Sequence, residues 1–290
     1  MNTYINHIKS ILGITFCLLG YQYANTQNKK QEIAMSAAST ISLISHNLNN
    51  GDAKNKTGYA FDLRHSYYVN DNWSIGLGVE FQAYKSSIDF KNLSGSYTTT
   101  DYDNESFEFR YAAQNYNESQ KIGKVNIPLT VQYETTTGKY RFYALTGLKV
   151  GFTTSATYQT NIGTLSTSGY YPQYDTELFD PEFMGFGTFN NIKTTKQDLD
   201  TRIAWSTTLE SGVKHYLNEK QAIYVGLFFD IGLNSIADSK QKVSKDEVVI
   251  YPSGTSPVVL QYNAVSNSEY SEKMKLSSFG LKIRYAFQGL

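Results

Sequence analysis

Cysteine is nearly missing from this chain: of 290 residues only Cys17 carries a thiol, and it lies inside a short apolar run near the N-terminus. Without that run neither a disulfide framework nor a thiolate metal site is available. Long hydrophobic runs are also missing. No stretch beyond the N-terminal one approaches the roughly 20 apolar residues of a membrane helix. A basic excess is missing too, since 26 Lys and Arg face 26 Asp and Glu, and with no surplus cation to release counterions a nucleic-acid partner is not implied. Histidine is sparse, which leaves little for acid–base or metal chemistry. No cofactor and no metal site is expected.

The N-terminus reads as an export signal. "MNTYINHIKS" carries Lys9 and no acid, "ILGITFCLLG" is apolar, and "YQYANTQ" places Ala24 and Thr26 at the −3 and −1 positions before Gln27. That order of regions predicts a signal peptide over 1–26, followed by one domain over 27–290. Cys17 follows Phe16, where a lipobox requires a small residue, so lipidation is not expected. Removing the signal takes away Lys9 and no acid, leaving 25 basic against 26 acidic side chains.

What the chain does have is alternation. "WSIGLGVEFQAY" (73–84) puts Trp73, Ile75, Leu77, Val79 and Phe81 on one face, and Ser74, Gly76, Gly78, Glu80 and Gln82 on the other, because strand side chains alternate with period two. The same pattern recurs at 57–69, 123–135, 140–156, 202–217, 222–235 and 277–287, and weakly at 33–48. Eight strands result. Short turns at 70–72, 136–139 and 218–221 alternate with connections at 49–56, 86–122, 157–199 and 236–271. Three connections of that length sit badly in a compact soluble domain. They suit an eight-stranded antiparallel up-and-down transmembrane β-barrel, all-β, with short periplasmic turns and long extracellular loops. The 24 Tyr and 16 Phe fit strands and interfacial belts; those near the short turns (Tyr67, Tyr68, Trp73, Tyr133, Tyr140, Phe142, Tyr216, Tyr224, Tyr285, Phe287) are expected to form an inner girdle.

Alternation alone does not say which face is wet, but the second face does. It mixes mid-strand glycine with Asp62, Arg64, Glu80, Glu134, Lys149, Glu210, Lys214, Asp230, Lys282 and Arg284. Glycine on a solvated sheet face weakens the strand for nothing, whereas inside a narrow barrel it makes room for long charged neighbours. Five acids and five bases can pair, as buried charges require. These ten residues are expected to form a charge network that plugs the lumen, with the apolar row facing lipid.

"NIPLTVQYETTTGKYRFYALTGLKVGF" adds a resemblance. Ile127-Pro128-Leu129 opening a strand, a short turn, an aromatic-rich return strand with Gly147 and Gly151, and an alternating C-terminal strand together resemble the Bacteroidetes outer-membrane β-barrel family, described as PorT-like or porin-family. That family resembles the transmembrane domain of OmpA in architecture. The resemblance implies the bacterial outer membrane as location, its lipids and the barrel-assembly machinery as partners, and no single activity.

Enzymatic chemistry finds little support. His65 and His215 fall on the apolar face near short turns, which suits anchoring. His46 lies near the outer end of the first strand with no acid in evidence beside it, so an enzyme is not expected. The acidic stretch "YDTELFDPEF" (174–183) lacks the ligand spacing of a calcium loop, and "SFEFRY" (106–111) reads as a strand extension above the membrane whose rings either bind a partner or pair within a collar. The expected role is a non-enzymatic outer-membrane protein, structural or binding a surface ligand or protein partner through its long loops. A small porin or channel for solutes is the alternative.

Overall fold

The computed structural model describes residues 30–48, 50–237 and 243–288; the segment read as a signal peptide lies outside them. Fourteen strands occur in chain order: β1 (Gln31–Leu48), β2 (Asp52–Asn55), β3 (Thr57–Tyr68), β4 (Trp73–Thr100), β5 (Ser106–Glu134), β6 (Tyr140–Tyr171), β7 (Thr176–Leu178), β8 (Gly187–Lys193), β9 (Gln197–Asp198), β10 (Ala204–Tyr216), β11 (Gln221–Gly232), β12 (Val249–Ile250), β13 (Gln261–Tyr262) and β14 (Ser271–Gln288). Eight of them close a ring. The order β10-β11-β14-β1-β3-β4-β5-β6 returns to β10 through the β6–β10 pairing, and every ring pairing is antiparallel. Closure leaves no unpaired edge around the lower part of the cylinder, the condition for strands to stand in lipid.

The short turns follow from local chemistry. Asn70 accepts from the backbone N–H groups of Asn72 and Trp73, each at 2.9 Å, and Asn218 accepts from that of Lys220 at 2.9 Å, so both asparagines fold the chain through their own side chains. At the middle turn Gly138 has φ +90°, a conformation that a side chain would oppose.

Facing is unambiguous. Leu77, Leu227 and Leu281 are 55%, 68% and 49% exposed, while Glu80, Asp230 and Lys282 are 2%, 1% and 5% exposed. A soluble core would reverse these figures. The apolar row therefore forms an outer belt that runs, on β4 and β5, from the contacting rings of Trp73 and Tyr133, 5.1 Å apart, up to Phe81 and Val125. Hydrocarbon solvates such a belt, and water does not.

Three expectations need correction. Tyr68 and Tyr224 are buried and Tyr216 is half-buried; they share the parity of the charged row and point into the lumen, so the girdle consists of their neighbours. Ile127-Pro128-Leu129 does not open a strand, because β5 begins 21 residues earlier at Ser106. Pro128 lies deep within it, and the β4–β5 ladder breaks there, between Leu77↔Leu129 and Glu80↔Asn126, as a ring nitrogen without a proton requires.

The third correction concerns the long connections. Residues 86–122 and the start of 157–199 are not loops: β4, β5 and β6 run on as strands of 28, 29 and 32 residues. About 15 residues of each rise above the belt, roughly 50 Å of strand at the usual rise. This extracellular blade satisfies its backbone by pairing with itself, and β7, β8 and β9 extend the same sheet along β6. One side of it carries a core of its own, with Phe90, Phe107, Phe109, Tyr116, Leu165 and Phe186 packed against Val248, Val249, Tyr251 and Val265 from the 236–270 connection. Phe107, Phe109 and Tyr111 of "SFEFRY" thus build the blade rather than face outward.

Candidate functional site: a sealed lumen beneath an extracellular blade

The lumen is filled in layers, and each layer joins side chains far apart in sequence. At the periplasmic end Lys214 lies 3.1 Å from Glu32 and 3.1 Å from Glu134. Tyr68 and Tyr224 donate hydroxyls to Glu32 at 3.2 and 2.8 Å, and Arg141 reaches Glu134 at 3.2 Å. The Lys214 ammonium also lies 4.9 Å from the Tyr224 ring centre and 4.8 Å from that of Tyr216. Aromatic faces and carboxylates together replace its water.

The middle layer joins two arginines to one acid and one amide. Arg284 pairs with Glu210 and donates to Gln132 at 3.0 Å; Arg64 donates to the same Gln132 oxygen at 3.2 Å. Tyr143 donates to Glu210 at 2.9 Å. Above it Lys282 spans Glu210 at 3.3 Å and Asp62 at 3.4 Å, and Lys149 spans Glu80 at 2.9 Å and Asp230 at 3.0 Å. Asp62, Arg64, Glu80, Glu134, Lys149, Glu210, Lys214, Asp230, Lys282 and Arg284 all lie within these layers.

Glycine makes the room. A Cβ at Gly226 would fall 2.2 Å from the Tyr143 hydroxyl, and one at Gly76 3.1 Å from the Arg64 Cδ. Elsewhere, as at Gly212, the nearest atoms are instead the facing backbone. Sequence reasoning missed Glu32, which is 1% exposed and receives Lys214, because β1 alternates weakly. One signal was available: Glu32 shares parity with Ala34, Ser36 and Ala38, opposite Ile33 and Met35.

Above the ionic layers an apolar lid closes the cylinder. Ile44, Tyr84, Ile122, Leu199, Ile236, Met274 and Leu276 pack together there, drawn from six segments of the chain. Three ionic strata thus lie beneath a layer of hydrocarbon within the cylinder.

A second polar cluster, unexpected from sequence, sits above the belt where the 236–270 connection docks. Glu118, fully buried, accepts from the backbone N–H of Val265 at 2.6 Å, from Ser266 Oγ at 3.0 Å and from Gln120 Nε2 at 2.7 Å. Burial without a cation holds its carboxyl above the usual range, against the hydrogen bonds that favour the charged form. Gln120 in turn meets His46 Nε2 at 3.1 Å, and His46 Nδ1 meets Ser271 Oγ at 3.3 Å. Desolvation lowers the imidazole to about 4. Both ring nitrogens are engaged, tying β1 to β5 and to the start of β14, a structural use of the one histidine that raised the question of catalysis. His215 stacks on Tyr140 at 4.5 Å, and His65 meets Gln31 at 3.4 Å. No group of three or more His, Cys, Asp or Glu side chains converges as metal ligands would among the described residues.

The stretch 174–183 lies at the far end of the blade, beside the turn 101–105: Tyr174 donates to Glu105 at 2.9 Å and Tyr171 to Asp101 at 3.0 Å. Tyr102, Tyr174, Phe179 and Phe183 are all at least 60% exposed there. A shallow cleft of about 570 Å³ opens beside them, lined by Ser96, Thr98, Phe107, Glu108 and Gln173.

Fold and lumen together define an eight-stranded transmembrane β-barrel, lined inside by buried ion pairs and topped by a folded blade. No protein-family model matches the chain, and no curated protein matches it. Among solved structures it is similar to the outer membrane protein OprG from Pseudomonas aeruginosa, with 11% identity over 91% of this chain and 100% of that one and a TM-score of 0.40. It is similar also to Neisserial surface protein A, with 10% identity over 89% and 96% of the two chains and a TM-score of 0.38. The attachment invasion locus protein of Yersinia pestis gives 9% identity over 89% and 99%, with a TM-score of 0.29.

Proposed function

We propose that this protein is a non-enzymatic, non-conducting barrel of the bacterial outer membrane whose blade binds a surface ligand or protein partner. On this reading it is exported by its N-terminal signal, and the barrel-assembly machinery inserts it through the alternating closing strand β14. The observation that carries the reading is a division of labour. The lumen holds ion pairs and an apolar lid where a pore would hold water, while the blade has its own core and offers exposed rings at its far end. Isolated large apolar side chains are ordinary on a surface, but several aromatics at one projecting tip mark a contact region.

A channel for solutes is the competing role, and planar-bilayer recording separates the two. The purified protein is expected to insert without stable unitary openings. Stable openings that scale with salt would displace the binding reading. Heat-modifiable migration in an outer-membrane fraction tests the location independently.

A further inference from the structure

Immediately above the lipid belt, like charges face each other. Lys85 on β4 is directly opposite Lys121 on β5, two positions beyond Ala83↔Gly123 and four beyond Phe81↔Val125. Both continue the outward-facing parity of the belt. The backbone N–H of Lys56, at the break between β2 and β3, bonds the Lys85 carbonyl at 3.3 Å, so a third lysine, exposed, adjoins the pair on the far side of β4. None of the three forms an ion pair within 4 Å among the described residues; on the same face of β4 Asp89 is held by Lys54 at 3.0 Å and is also drawn toward Lys56. On its other side Lys121 meets Thr157, which is neutral.

Two lysines directly across an antiparallel pair repel. A neutral partner at either position would avoid the cost. The location supplies a reason to keep both: four residues above Phe81 is about 14 Å of strand and, at the usual tilt of about 45°, roughly 10 Å along the membrane normal, the level at which lipid headgroups meet the barrel wall. An anion between the two amines would turn the repulsion into a clamp, as compact ammonium charges do around phosphate.

We propose that Lys56, Lys85 and Lys121 form a site for the phosphate group of an anionic lipid in the outer leaflet. The site rests on the outer-membrane reading above. It would fix the vertical position of the barrel and bring negative lipid to the base of the blade.

The test uses the mature chain refolded into vesicles of phosphatidylcholine, with and without phosphatidic acid, and compares wild type with Lys85→Gln, Lys121→Gln and the double variant. Both substitutions replace an exposed or half-buried side chain with one of similar length, so folding should survive. Wild type is expected to recruit spin-labelled phosphatidic acid over spin-labelled phosphatidylcholine, and that preference should fall about fivefold for each lysine removed. Stability should change sign with lipid: the double variant unfolds at the same or higher urea than wild type in pure phosphatidylcholine, and at lower urea once phosphatidic acid is present. A urea shift of one sign in both lipids, or no lipid preference in wild type, overturns the proposal. If millimolar inorganic phosphate in phosphatidylcholine vesicles reproduces the whole stabilisation, the lysines bind free anion and the lipid assignment is wrong. Failure to insert into any vesicle would instead refute the membrane reading underneath it.

Discussion

Replacing Lys214 with methionine tests whether the lumen is dry. The amine touches two carboxylates at 3.1 Å each and the Tyr68 hydroxyl at 2.9 Å, with no solvent exposure. At an effective dielectric of about 20 each attraction amounts to roughly 5 kcal/mol, and drying each ion costs several kcal/mol in return. The intact cluster therefore contributes little net stability. Removing the cation alone is different. Glu32 then keeps only hydroxyl and amide donors, from Tyr68, Tyr224 and Gln288, and Glu134 keeps Arg141. Two carboxylates are left buried with one cation between them, and the expected loss is about 3–5 kcal/mol. Urea unfolding in vesicles, followed by heat-modifiable gel mobility, measures it. Adding Glu32→Gln to the Lys214→Met background should restore most of the loss, because Glu134 keeps Arg141 and no unpaired carboxylate remains. A loss below about 1 kcal/mol for Lys214→Met alone, the value of a solvated pair, would show that water reaches the layer and refute the sealed lumen.

Three further outcomes follow from the same structure. Leu227→Arg places a guanidinium in the lipid belt and is expected to cost roughly 2–4 kcal/mol by the same assay. Gly226→Arg, one residue away, should act from inside by displacing Tyr143, and even Gly226→Ala should destabilise and be partly relieved by Tyr143→Phe; equal tolerance of arginine at both sites would contradict the facing. His46 titrates near 6.5 when unfolded and at about 4 when folded, so the unfolded chain binds the extra proton between those values. Its contribution is complete above that window and is lost as pH falls through it, by about 3 kcal/mol in all. Glu118, raised by burial, works with the opposite sign, losing its contribution as pH rises. The difference between wild type and His46→Gln from pH 7 to pH 4 isolates the histidine, and parallel pH curves for the two would show that His46 is solvated.

Some of this architecture is legible residue by residue. The row Ile75, Leu77, Val79 against Gly76, Gly78, Glu80 states a strand and two unlike faces, since period two is a property of the extended backbone and needs no partner. Glycine among charges then states which face is enclosed. The blade was half visible: the alternation of "SFEFRY" announced a strand, but whether its rings turn outward or pack inward depends on what lies beneath them, and that is the 236–270 connection, about 150 residues later in the chain. Glu118 gave no signal for the same reason, because its partners Val265 and Ser266 are remote. Glu32 was hidden by a weakly patterned strand whose neighbours, β3 and β14, come from opposite ends of the chain.

By itself the sequence determined the eight strands, the short turns and the two faces, because each depends on backbone geometry and near neighbours. Only the tertiary structure decided that Lys214 meets Glu32, 182 positions away, that three long connections become one packed blade and its backing, and that lysines repel across β4 and β5. Those outcomes depend on ring closure and strand register, which set distances between residues that the chain order leaves far apart.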